Sequence, residues 1–195
     1  MDKIELLFQH YNDTFSIQKE NLANRNRYFV FLFITMCIQF LFALSPDSIS
    51  TIIVSLIKES YKVNLSSQIN IIQSALWIVL FYLTMRYFQT NIYIERQYTY
   101  IAYLESDLSK ISHLKIDREN KSYLTNYPKI CDFIDFIYKW FFPVFYIIIL
   151  SIKLISEYVY HLSCAFHIFN TSIYILCIIL DLLYLNFLHS KKNGK

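Results

Sequence analysis

The sequence predicts an all-α, polytopic membrane protein with four transmembrane helices, and three observations carry that prediction. The 195 residues are 55% hydrophobic and 18% aromatic, with 17 Tyr and 17 Phe, a composition unlike that of an ordinary soluble domain. The apolar residues are gathered in four runs separated by charged stretches, which divides the core among spanning helices. Lysine and arginine are dense in alternate connections and sparse in the others, as expected of a chain that crosses a membrane repeatedly.

The N-terminal segment, 1–27, sets Ile4, Leu7, Phe8, Tyr11, Phe15 and Leu22 at helical spacing, with Asp2, Glu5, Asp13, Lys19 and Glu20 elsewhere on the turn. It reads as an amphipathic cytoplasmic helix, either lying on the inner leaflet or packed against a cytoplasmic hairpin. The first span, YFVFLFITMCIQFLFAL at 28–44, is uncharged, and Ser45-Pro46-Asp47 ends it with polar residues and a helix-breaking ring. No cleaved signal peptide is expected, because mixed-charge residues precede this run and no small-residue cleavage site follows it. The second span covers 69–88 and carries Arg86 near its far end. The third covers 136–155, where Pro143 within FFPVFYIIIL removes a backbone hydrogen bond and predicts a kink. The fourth covers 163–188, long enough to tilt or project past the lipid, and a basic tail follows at 189–195.

The basic residues orient these spans. Four lie in 1–27, eight between Arg86 and Lys139 and three in the tail, whereas Lys58, Lys62 and Lys153 are the remaining three of 18. The positive-inside rule therefore places both termini of this multi-pass protein in the cytoplasm. The hairpin 89–135 joins the second and third spans on that side. Its seam residues Ile94, Ile101, Leu104, Leu108 and Ile111 fall near a heptad pattern, and a seam so short needs a covering partner. Tyr98, Ile101, Tyr103, Leu104 and Leu108 are accordingly the expected interface for another subunit or a cytoplasmic protein. Tyr87 and Tyr93 read as aromatic belt.

Several function classes are excluded by what the chain lacks. Its one glycine, Gly194, leaves no phosphate loop, dinucleotide fingerprint, glycine-lined potassium filter or GxxxG pair. Neither HExxH nor GxSxG occurs, no paired-carboxylate site is evident, and the five histidines are scattered, so no enzyme and no cofactor are expected. Cys37, Cys131, Cys164 and Cys177 show no metal-binding spacing and read as small buried hydrophobes. A net charge of +3, evenly mixed, gives no reason to expect direct binding of nucleic acid.

The fourth span carries the main candidate site. Strides of four and three residues pass through Ser163, His167, Asn170, Tyr174, Cys177, Asp181 and Tyr184, all able to hydrogen bond on an otherwise mainly apolar helix. Such a face must turn from lipid, and two readings follow. It lines a path for ions or protons, with Asp181 and His167 as ionisable members, or it is interhelical glue meeting Gln73, Ser74, Thr35, Gln39 or its own copy in a homo-oligomer. His167 and Asp181 are about 21 Å apart along the helix, too far for one catalytic site. Asp181 falls ~9 Å from the centre of the hydrocarbon, a depth Arg86 also reaches, which predicts an intramembrane Arg86–Asp181 ion pair.

The layout of short spans, inside termini and an aromatic hairpin, IYIERQYTYIAYLESDL, resembles small four-span proteins of bacterial defence operons. Among these it is similar to the KwaA-type membrane components of the Kiwa anti-phage system. The resemblance implies an oligomeric membrane protein that senses phage attack and works with a cytoplasmic partner, KwaB, on the inner face; it carries no residue assignments. Two functions are thus expected in the alternative: a membrane sensor or scaffold whose hairpin holds a partner, or an oligomeric pore that depolarises the cell.

Overall fold

The computed structural model describes residues 3–61, 69–113, 136–160 and 164–192, together with Ile130 and Phe133. Among these, all regular structure is helical. Five α-helices follow in order, α1 (Lys3–Leu44), α2 (Pro46–Tyr61), α3 (Ile69–Ser112), α4 (Phe142–Val159) and α5 (Cys164–Lys192), with a π-helical turn at Ile137–Phe141. Four of them, α1, α3, α4 and α5, are long and apolar enough to cross a membrane, an arrangement compatible with a multi-pass membrane protein.

The N-terminal segment and the first span are one helix of 42 residues, because no proline or glycine interrupts 3–44. At 1.5 Å per residue α1 extends roughly 63 Å, about twice the ~30 Å thickness of a hydrocarbon core. The 44 residues of α3 run on in the same way, from the apolar 69–85 into the charged 86–112. Its end is marked by His113, which takes a positive φ of 56° in the left-handed conformation that terminates helices.

Two features depart from the sequence-based expectation. The connection after the first span holds a further helix, α2. Ser45 accepts the Ile49 N–H at 3.1 Å, Pro46 opens the first turn and Asp47 follows it, so the residues that end α1 also start α2. Pro143 follows directly on the π-helical turn, and Phe141 at their junction has helical backbone angles (φ −65°, ψ −45°), so the helical run continues through the proline. The hydrogen bond that its missing N–H cannot make falls beside the π-helical turn, whose wider ladder the sequence did not announce.

The chain divides into two units, one formed from the described residues of 1–28 and 86–136, the other from 29–85 and 137–195. In the first, Leu7, Tyr11 and Phe15 of α1 pack on Ile101, Leu104 and Leu108 of α3. Buried Tyr11 donates its hydroxyl to Glu105 at 3.1 Å, Asn21 donates to Gln97 at 3.1 Å, and His10 meets the Tyr100 hydroxyl at 2.9 Å. The contact therefore has an apolar centre with polar pairs along it.

The second unit is arranged inside out relative to a soluble bundle. Phe31, Phe33, Val79, Ile148, Leu176 and Leu183 are exposed, whereas Gln39, Thr84, Lys153, Glu157, Asn170 and Asp181 are buried. Apolar side chains facing outward and polar ones facing inward are what a hydrocarbon solvent selects. Helix α4 is the hub: Phe142 meets Phe29 of α1, Tyr146 meets Thr84 of α3, and Ser151 meets Tyr174 of α5.

Candidate functional site

Two polar layers lie in the second unit. The first is built around Lys153 and Glu157, four residues apart on α4 and each 1% exposed. Four residues bring two side chains onto one helix face, and the ammonium lies 3.1 Å from Glu157 Oε1. Neighbouring helices complete the set. Lys153 Nζ donates to Gln73 Oε1 at 2.9 Å and stands 5.5 Å over the Phe42 ring. Trp77 Nε1 donates to Glu157 Oε1 and Asn170 Nδ2 to Glu157 Oε2, both at 2.9 Å. Ser156 Oγ donates to the Ala43 carbonyl at 2.9 Å, fixing α1 to α4 at the same end. A buried pair of charges holds only when its remaining donors and acceptors are met, and here helices α1, α3, α4 and α5 all supply partners.

A small cleft of about 150 Å³ reaches this layer, lined by Gln73, Lys153 and Glu157 together with Pro46, Asp47, Ser50, Ile69, Asn70, Ser156 and Tyr160.

The second layer holds Tyr146, Thr84, Cys177 and Asp181. The Tyr146 and Thr84 hydroxyls are 2.8 Å apart, and Thr84 in turn donates to the Leu80 carbonyl. The Cys177 thiol stands beside the Tyr146 hydroxyl, and Asp181 lies within electrostatic reach of both. Gln73 and Thr84, Tyr146 and Glu157, and Asn170 and Asp181 are each eleven residues apart. Eleven residues make about three turns, so three helices carry polar groups on the same face at two levels ~16 Å apart. Between the levels, Ser151 meets the Tyr174 hydroxyl at 2.8 Å, and the Trp77 ring stands edge-on to Tyr174 at 6.4 Å.

Seven buried atoms of this unit, Gln39 Nε2 and Oε1, Ser74 Oγ, His167 Nδ1, Asn170 Oδ1 and both Asp181 carboxylate oxygens, have no hydrogen-bond partner among the described residues. A buried polar atom left unsatisfied costs about 1–3 kcal/mol, more when charged. The sum rivals the whole stability of a typical domain, ~5–15 kcal/mol.

The polar stripe of the fourth span is brought mainly against α4. His167 stacks on Tyr158 with ring centres 4.7 Å apart, Asn170 bonds Glu157, Tyr174 bonds Ser151 and Cys177 meets Tyr146. Asp181 is buried, as is Tyr184, while Ser163 lies outside the described residues. The partners expected for this stripe, Gln73, Ser74, Thr35 and Gln39, are buried too, but Gln73 accepts from Lys153 and Thr35 donates to its own helix at Phe31. The glue is therefore α4. The Lys153–Glu157 layer escaped the sequence reading because charges close to a span end look like flanking residues. A lysine and a glutamate four apart inside ILSIKLISEYV were the available signal.

In the other unit, Ile101, Leu104 and Leu108 are covered by the chain's own α1. This corrects the expectation that they meet a separate partner: the seam does need a cover, and residues some ninety positions earlier supply it. Tyr103 is 61% exposed, and Tyr98 is half-buried. Arg86 donates to Gln89 and Tyr28 and lies 5.7 Å over the Tyr28 ring. Arg86 and Asp181 belong to different units, and their pairing stands as a proposal.

Among the described residues no group of His, Cys, Asp and Glu could hold a metal ion. Comparison with protein families, with curated proteins and with solved structures finds no match.

Proposed function

We propose that the chain is a non-enzymatic, multi-pass protein of a bacterial inner membrane that acts as a sensor or scaffold for a cytoplasmic partner in anti-phage defence, as a homo-oligomer with both termini in the cytoplasm. One observation carries the choice of sensor over pore: the polar stripe is turned into the interior of its own chain. Asn170, Cys177 and Asp181 are 0% exposed, and the neighbouring exposed positions of α5, such as Ile175, Ile179 and Leu182, are apolar. A pore between subunits needs a continuous polar face on the outer surface of a spanning helix, and that of α5 is mainly apolar, with Ser172 and Asn186 as separate exposed polar side chains.

The partner-binding role draws support from the exposed aromatic rings of the charged half of α3, Tyr100 and Tyr103, since tyrosine is enriched in interface cores. The defence role rests on the resemblance to KwaA-type proteins. Three measurements test the proposal. Purified protein in liposomes is expected to pass no potassium or chloride current, and a conductance lost in Asn170→Leu would favour the pore. Tyr103→Ala is expected to reduce co-purification of a cytoplasmic partner while leaving membrane insertion unchanged. Phage plating with and without the gene decides the defence role, and equal plaque counts would remove it.

A further inference from the structure

The partnerless atoms of Gln39, Ser74, Asn170 and Asp181 need a hydrogen-bonding group that the described residues do not provide. A second copy of the chain cannot reach them, because Gln39, Asn170 and Asp181 are 0% exposed within one chain. Lipid offers no hydrogen bond. Water does, at two to four bonds per molecule, and a cleft already reaches the adjoining layer at Gln73, Lys153 and Glu157.

We propose that the interior of this unit is wet and relays protons between the cleft beside Glu157 and the carboxyl group of Asp181. Asn170 joins the two ends of the route: its amide nitrogen donates to Glu157, and its buried oxygen has no partner among the described residues. One turn further along α5 stands Tyr174, whose hydroxyl meets Ser151, and two turns beyond it stands Asp181. Hydroxyls serve such a route because each can accept one proton as it gives up another.

At its end, hydronium gives a proton to the Asp181 carboxylate, leaving water and a carboxylic acid; the acid then gives its proton to a water on the side away from Asn170, which restores the carboxylate, so only O–H bonds form and break. Tyr146 of α4 and Cys177 of its own helix lie within electrostatic reach of Asp181, Thr84 of α3 bonds Tyr146, and none of the three carries a fixed charge. At the entrance Lys153 and Glu157 balance one another. Met36, Leu80 and Leu150, all fully buried, pack the interior with apolar bulk, so the route suits a proton passed along hydrogen bonds and not a hydrated metal cation.

This goes beyond the sensor reading, which depends on partner binding and is tested separately. The full chain is reconstituted in vesicles of phosphatidylethanolamine and phosphatidylglycerol with a trapped pH-sensitive dye, and a potassium gradient with valinomycin drives protons inward. Wild-type vesicles are expected to acidify severalfold faster than protein-free ones, Asp181→Asn to return to the protein-free rate, and Tyr174→Phe to slow acidification while eluting as the wild type does. Potassium flux without valinomycin is expected at the protein-free level. A wild-type rate equal to that of protein-free vesicles, a potassium flux matching the proton flux, or unchanged rates in both variants would overturn the proposal. Should Asp181→Asn fail to fold, Tyr174→Phe decides alone, since it removes one hydroxyl and no volume of ring.

Discussion

Truncating Glu157 while leaving Lys153 in place is the sharpest perturbation of the polar layer. Glu157 accepts from Lys153, Trp77 and Asn170, so Glu157→Ala strands an ammonium that is 1% exposed and leaves two further buried donors unmet. Breaking one side of a buried charge pair costs about 3–5 kcal/mol. For a chain of this size each kcal/mol shifts the melting temperature by roughly 2–4 °C, which gives an expected loss of about 6–20 °C. Lys153→Met with Glu157→Gln is expected to lose less than either charge-removing single change. That double variant buries no net charge, and the glutamine carbonyl still accepts from one neighbour. Thermal unfolding in mild detergent, followed by tryptophan fluorescence, measures all the variants, with Trp77 in the layer itself. The reasoning is refuted if Glu157→Ala melts within about 1 kcal/mol of the wild type, or if the double variant is the least stable of the set.

Other outcomes follow from the same geometry. His113→Gly is expected to stabilise the end of α3 by ~1 kcal/mol, because glycine carries no penalty at φ 56°; chemical denaturation compared with the wild type checks it. Leu104→Ala is expected to cost about 2–5 kcal/mol, and proteolysis should then open the α1–α3 contact, whereas Tyr103→Ala at 61% exposure should leave stability within ~0.5 kcal/mol. Tyr146→Phe removes the hydroxyl that meets Thr84 and Cys177 and is expected to cost about 0.5–1.5 kcal/mol, read as a drop in melting temperature.

How far these features could be read from the sequence depends on how far apart the interacting residues lie. Spans are a local property: an uncharged run such as 28–44 announces itself within one window, and four helices long and apolar enough to cross a membrane are present. The stripe from His167 to Tyr184 was local too, since it follows from helical periodicity on one helix. What faced it was not. Pairings such as Trp77 with Glu157, or Tyr11 with Glu105, join residues 80 and 94 positions apart, and no periodicity encodes them. The hairpin seam shows the limit plainly: Ile101, Leu104 and Leu108 advertise that something must cover them, but a heptad pattern does not say whether the cover comes from another chain or from this one.

The same limit applies to Pro143 and Lys153. A proline inside an apolar run signals a lost hydrogen bond, but not that a π-helical turn at Ile137–Phe141 stands directly before it. A lysine near a span end signals snorkelling only if it points outward, yet Lys153 is 1% exposed and pairs inward. Both residues were judged by chemistry averaged over helices in general. Their actual roles depend on whether the α4 face that carries Tyr146, Lys153 and Glu157 turns toward Thr84 and Gln73 or toward lipid. That face is fixed by packing, and packing places the buried charges and partnerless atoms of the proposed proton route on one interior surface.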